Sequence, residues 1–264
     1  MRKAGSAPPR VLPILVSLAA VVAGGYAMLA TMRATASWGL RPMLVASELA
    51  LVAPALLAVA LARLPPGRAL GLAAPGSRTA ALSLGIGAAF WVASLGLFSL
   101  QAAVWPLPPE YIQLFQRLHA ALQPHGVLDA IVSVFAIALA PAACEELLFR
   151  GILLPSLQRW LPAGIAVAIT ALAFALVHRD PYRFLFAAAV GAGLGLLRLR
   201  TGSVIAPFLA HGLLNTLTFA AVQVLDEGEA GAEPAPWIGA LLLLGGGAAA
   251  AILWRALRPR GESG

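Results

Sequence analysis

Apolar residues in this chain come in long unbroken runs, without the alternation that marks an element lying half in water. Eight runs succeed one another: Val11 to Ala30, Met43 to Leu61, Ala80 to Ala102, Val127 to about Leu154, Gly164 to His178, Arg183 to Leu199, Val204 to Val222, and Trp237 to Trp254. A helix needs about 20 mainly apolar residues to cross a bilayer, and in hydrocarbon its backbone groups must all be satisfied within the helix itself. The pattern predicts an all-α, polytopic membrane helical bundle of about eight transmembrane helices, built as a single integral membrane domain over residues 1–264. The first run follows Arg2, Lys3 and Arg10. It is too long for the apolar stretch of a signal peptide and ends without a clear cleavage site, so it reads as the first span.

Two stretches break the pattern. Pro108 and Pro109 precede Glu110, and then Tyr111, Leu114, Phe115, Leu118 and Leu122 recur every three or four residues until Pro124. That spacing describes an amphipathic helix lying in the membrane interface, either a covering flap or a substrate gate. The Gly-rich and Ala-rich stretch from Gly245 to Ala251 suits close helix packing.

Composition agrees with the runs. Of 264 residues 60% are hydrophobic and 11% charged, with a mean hydropathy of +0.87, outside the range of water-soluble domains. The net charge of +7 comes from basic residues scattered singly between apolar runs. They are not grouped with aromatics on one face, which excludes a nucleic-acid partner and fits loop charges facing anionic lipid.

With the N-terminus inside, the cytoplasmic segments collect Arg2, Lys3, Arg10, Arg63, Arg68, Arg78, Arg159, Arg198, Arg200, Arg255, Arg258 and Arg260. The other side receives Arg33, Arg41, Arg117, Arg179 and Arg183, and the acidic stretch Asp226, Glu227, Glu229 and Glu233. The positive-inside rule then gives a multi-pass protein of the cell (inner) membrane with both termini cytoplasmic. Heavy use of Arg, Ala and Gly over Lys implies a GC-rich bacterial genome. The single cysteine, Cys144, excludes an intrachain disulfide.

Ionisable groups inside apolar spans cost several kcal/mol, so each is a functional-site hypothesis by default. Three groups stand out: Glu145, Glu146 and Arg150; Phe174 and His178; His211 and Asn215. Glu146 and Arg150 are four apart, about 40° around a helix, and can form an ion pair. Glu145 lies about 140° from Arg150, which leaves its carboxylate free for chemistry. His211 and Asn215 share one helical face. A hairpin turning near Trp160 and Leu161 would put Glu145 and His178 at similar depth, roughly 22 to 27 Å from the turn.

These residues form the ordered set EExxxR, FxxxH and HxxxN. The set resembles the three motifs of the CAAX protease and bacteriocin-processing family of intramembrane endopeptidases, to which the type II CAAX prenyl protease belongs. The likeness covers a catalytic core over residues 127–222. It implies hydrolysis of a peptide bond in a membrane-associated protein or peptide, such as a lipid-modified or anchor sequence, by water that a glutamate activates. Carried over, Glu145 is the general base, helped by His178, and His211 with Asn215 forms the oxyanion site. Glu146, Arg150 and Phe174 give structural support.

No cofactor is expected, since Asn215 is a poor zinc ligand and the HExxH helix is absent; a Zn²⁺ alternative would use Glu145, His178 and His211. The competing function is a non-catalytic membrane scaffold or bacteriocin-immunity protein of the same fold. A proton-coupled transporter would call for repeated halves, and the sequence has none.

Overall fold

The computed structural model describes residues 11–224 and 235–257. The expected loop charges Arg2, Lys3, Arg10, Arg258 and Arg260, and the acidic stretch Asp226 to Glu233, lie outside them. The described residues contain helices and no strand: α1 (Ile14–Ala34), α2 (Leu40–Leu61), α3 (Ser77–Val104), α4 (Pro109–Leu122), α5 (Val127–Gln158), α6 (Ala163–Val177), α7 (Pro181–Thr201), α8 (Ile205–Val224) and α9 (Pro236–Ala256), with a single helical turn at Pro66–Ala69. All of these but α4, α6 and the single turn, seven helices in number, are long and apolar enough to cross a membrane. This is an integral membrane protein.

The fifth expected span is shorter than the rest. At 15 residues, α6 rises about 22 Å, against roughly 30 Å of hydrocarbon. A helix that starts at one surface and stops this early holds its last residue, and His178 just after it, at depth. Pro162 precedes its start, and Arg179, with φ of +53°, turns the chain sharply after His178. Asp180 then caps α7 by accepting from the backbone N–H groups of Tyr182 (3.0 Å) and Arg183 (3.3 Å), with Pro181 at the first helical position.

The longest element, α5, is locally widened. Its turns are π-helical at Phe135–Leu139 and Leu147–Leu153. Pro141 and Pro155 lie just beyond these stretches and cannot donate to the i→i−4 ladder, so the turn widens around the missing bond. The Glu145–Glu146 pair sits in the α-helical piece between them.

Small residues set the close helix contacts, as expected where apolar lipid gives no drive for helices to associate. Gly24 of α1 meets the Leu51 carbonyl of α2, Gly87 of α3 meets Ala210 of α8, and Gly246 of α9 meets Ala93 of α3. Of the expected packing stretch, Gly246 makes this approach while Gly245 and Gly247 face open space. Large apolar side chains such as Leu15, Leu61 and Val127 are exposed on the outside of the bundle, and the charged groups Glu145, Glu146 and Arg150 are buried inside it.

The amphipathic element appears as α4 and is fastened at both ends. Near its start the Tyr111 hydroxyl donates to Asp180 Oδ2 at 2.6 Å, and Tyr111 stacks on Tyr182. Burial, and then the Asp180 carboxylate, push the Tyr111 phenol above the usual tyrosine range. Beyond its last turn, Arg41 of α2 holds Asp129 at 3.1 Å and Ser133 at 2.7 Å, and donates to the Leu122 carbonyl at 3.3 Å. Leu114 and Phe115 stay exposed.

Candidate active site

The site is built on a buried ion pair, in which Arg150 Nε and Glu146 Oε2 make no hydrogen bond. Arg150 is fully buried; its Nη1 donates to Glu146 Oε1 at 2.7 Å, and its Nη2 to the Gly191 carbonyl of α7 at 2.8 Å. Its guanidinium lies over the face of Phe174, 4.7 Å from the ring centroid, an arrangement that the ring quadrupole favours. The ion pair expected from the i,i+4 spacing is therefore present, with a carbonyl and a ring completing it.

The two histidines come from different elements, His178 from the end of α6 and His211 from within α8. His178 Nδ1 is 2.9 Å from the Phe174 carbonyl. A carbonyl only accepts, so Nδ1 carries the proton and Nε2 is left with its lone pair. His211 Nδ1 is 3.0 Å from Glu146 Oε1, and by the same argument donates to that carboxylate. The Nε2 atoms then point to a common partner: His178 Nε2 is 3.9 Å from Glu145 Oε1, and His211 Nε2 is 3.7 Å from Glu145 Oε2. Phe174 packs against both rings, at 4.8 Å from His178 and 5.7 Å from His211.

Three acceptors facing one another at these separations are too far apart for direct hydrogen bonds and repel unless something donates between them. A water molecule among the three, or protons on the imidazoles, supplies what is missing. Among the described residues, no group of three His, Cys, Asp or Glu side chains is placed to hold a metal ion.

Six of the seven expected residues thus meet: Glu145, Glu146, Arg150, Phe174, His178 and His211. Asn215 stands one turn further along α8, where its Nδ2 makes a long bond of 3.5 Å to the Ala138 carbonyl in the widened part of α5. Beside Glu146, a cavity of about 170 Å³ is lined by that residue and by Leu72, Ala143, Leu147, Val204, Ile205 and Phe208.

One residue escaped the sequence reading. Glu48 of α2 has a buried Oε2 with no hydrogen-bond partner, and its carboxyl lies close enough to Glu145 to interact with it electrostatically. The signal was available, since a carboxylate within the run Met43 to Leu61 is an ionisable group in an apolar span. It stands alone without a motif around it, so the motif pattern does not single it out.

Residues 127–217 match the family model described as type II CAAX prenyl endopeptidase Rce1-like. No curated protein and no solved structure matches the chain.

Proposed function

Through its segment 127–217 this chain belongs to the Rce1-like family of type II CAAX prenyl endopeptidases, and from that premise we propose that it is an intramembrane endopeptidase in which Glu145 activates water. The observation that carries the reading is the convergence of two imidazole Nε2 atoms on the Glu145 carboxylate, each ring turned by a partner on its Nδ1.

In the proposed reaction a water held among Glu145, His178 and His211 attacks the scissile carbonyl carbon. The new C–O bond forms as Glu145 takes one water proton, and His178 orients the water through its Nε2. The carbonyl oxygen becomes an oxyanion. Asn215 turns its amide N–H to it, giving up the long bond to Ala138. His211 donates from Nε2 when both its ring nitrogens carry protons, a form for which Glu146 supplies the counter-charge. The proton on Glu145 then passes to the amide nitrogen, and the C–N bond breaks to release an amine and a carboxylic acid, whose proton the amine takes up on release. Donors fixed in a dry site stabilise such an oxyanion more than water does.

The metal-free version is supported by the chemistry of the set, since Asn215 is a weak zinc ligand and the HExxH helix is absent. The substrate in this reading is a membrane-associated protein or peptide. The cavity beside Glu146, whose other lining residues are apolar, favours one with an apolar or lipid-modified segment. We place the protein in the cell membrane with both termini cytoplasmic, on the strength of the arginine asymmetry.

The test is terminal proteomics on cells carrying either the wild type or Glu145→Ala. At least one new protein terminus should appear only with the wild type, and identical terminal profiles would refute the peptidase reading.

A further inference from the structure

None of the steps above uses Glu48. It stands in the middle of α2, which packs along the part of α5 that bears the glutamate pair. Its Oε2 is buried without a hydrogen-bond partner, and its carboxyl interacts electrostatically with Glu145 and with Cys144. A carboxyl in an apolar span costs several kcal/mol, and a buried oxygen that makes no bond adds to that cost. A carboxyl serving only the fold would have a donor, as Glu146 has Arg150. Glu48 lacks one on Oε2, and its carboxyl stands near enough to the reacting carboxylate to interact with it electrostatically.

A substrate can bring that donor. A peptide bond cut within the membrane must first be unwound, and each backbone N–H freed from its helix then needs an acceptor. The two Nε2 atoms that face Glu145 serve the attacking water, and several other acceptors nearby are already used. Glu146 Oε1 takes Arg150 and His211, the Phe174 carbonyl holds His178, and the Ala138 carbonyl takes Asn215. Glu146 Oε2 is also unbonded, but that carboxylate already balances Arg150. Glu48 comes from a different helix, so with Glu145 it can flank an extended strand. A donor between two carboxyls also relieves their mutual repulsion.

We propose that Glu48 is a substrate-binding residue of this site: its free carboxyl oxygen accepts a hydrogen bond from a backbone N–H of the unwound segment next to the scissile bond. The inference rests on the peptidase reading.

The experiment uses the full chain in nanodiscs, with Glu145→Gln as the non-cleaving parent. The probe is a fluorescent peptide ending in an S-farnesylated cysteine followed by three residues, and binding is also measured with versions N-methylated at one backbone position at a time. Glu48→Leu should weaken binding about tenfold, and Glu48→Gln, whose amide oxygen still accepts, should stay within about threefold of the parent. One N-methylated peptide should bind the parent about tenfold more weakly and bind the Glu48→Leu protein no more weakly than the unmodified probe does. Leucine in an apolar span should leave the melting temperature of Glu48→Leu at or above that of the parent, which a structural role for Glu48 would not allow.

If each N-methylation costs the same in the parent and in Glu48→Leu, or if Glu48→Leu binds like the parent, this inference is wrong and the peptidase reading stands. If the parent fails to bind the probe at all, the lipid-modified substrate class falls and takes this inference with it.

Discussion

Glu146 Oε1 receives both Arg150 Nη1 and His211 Nδ1, so a single carboxylate oxygen neutralises a buried guanidinium and fixes the tautomer of an imidazole. Glu146→Gln should therefore cost stability and activity together. Removing one member of a buried pair typically costs about 3 to 5 kcal/mol, which a melt in detergent would register as a clear drop. Adding Arg150→Met should restore part of the stability but no activity, because the charge on Glu146 that balances a protonated His211 stays lost and the bond from Arg150 to the Gly191 carbonyl goes with it. At this scale the sequence was legible as far as local geometry reached. The i,i+4 spacing identified the Glu146–Arg150 pair and set Glu145 apart from it. The contact of Glu146 with His211 spans 65 positions, and no helical wheel displays it. Asn215 shared the His211 face as expected, yet its Nδ2 bonds the Ala138 carbonyl in the π-helical stretch of α5, a contact across 77 positions that local spacing does not display either.

The short helix α6 and the strapped helix α4 belong to one arrangement. The turn after α6 carries His178, and two residues on Asp180 caps α7 and receives the Tyr111 hydroxyl. The chain end that sets a site histidine is thus tied to the amphipathic helix. Asp180→Ala removes the cap and the strap at once, so it should lower stability by about 1 kcal/mol for the cap alone and loosen α4. Tyr111→Phe loses only the strap. Hydrogen–deuterium exchange should then rise across residues 109–122 in both variants, with exchange in residues 140–158 unchanged in Tyr111→Phe. Equal exchange in Tyr111→Phe and the wild type would show that the aromatic stack alone holds α4. The Pro-bounded, three-and-four spacing made the helix itself legible. Its attachment was not, because Tyr111 and Asp180 are polar residues outside every span, and each has a sufficient local explanation.

At the scale of the molecule, seven long spans and one short apolar helix among the described residues account for eight apolar runs, and which runs would be helices was plain from hydropathy. What hydropathy could not give was the depth of the α6–α7 turn, which depends on 15 residues being too few to cross. The expected topology predicts that a reporter fused after Gly76 reads as cytoplasmic, one after Gly228 as outside, and one at the C-terminus as cytoplasmic; a reversed signal at either of the first two would overturn it. The purified protein should keep its activity under strong chelation and carry no stoichiometric zinc. About one zinc per chain, lost in His178→Ala, would move the mechanism to the metal alternative. The central claim is that Glu145 is the base, and it is tested by following cleavage of an identified substrate by purified wild type and Glu145→Gln in proteoliposomes, with substrate binding measured in parallel. The amide keeps the side-chain volume and removes only the base, so Glu145→Gln should bind substrate within about threefold of the wild type and lose at least about a hundredfold in turnover; turnover close to wild type would contradict the account.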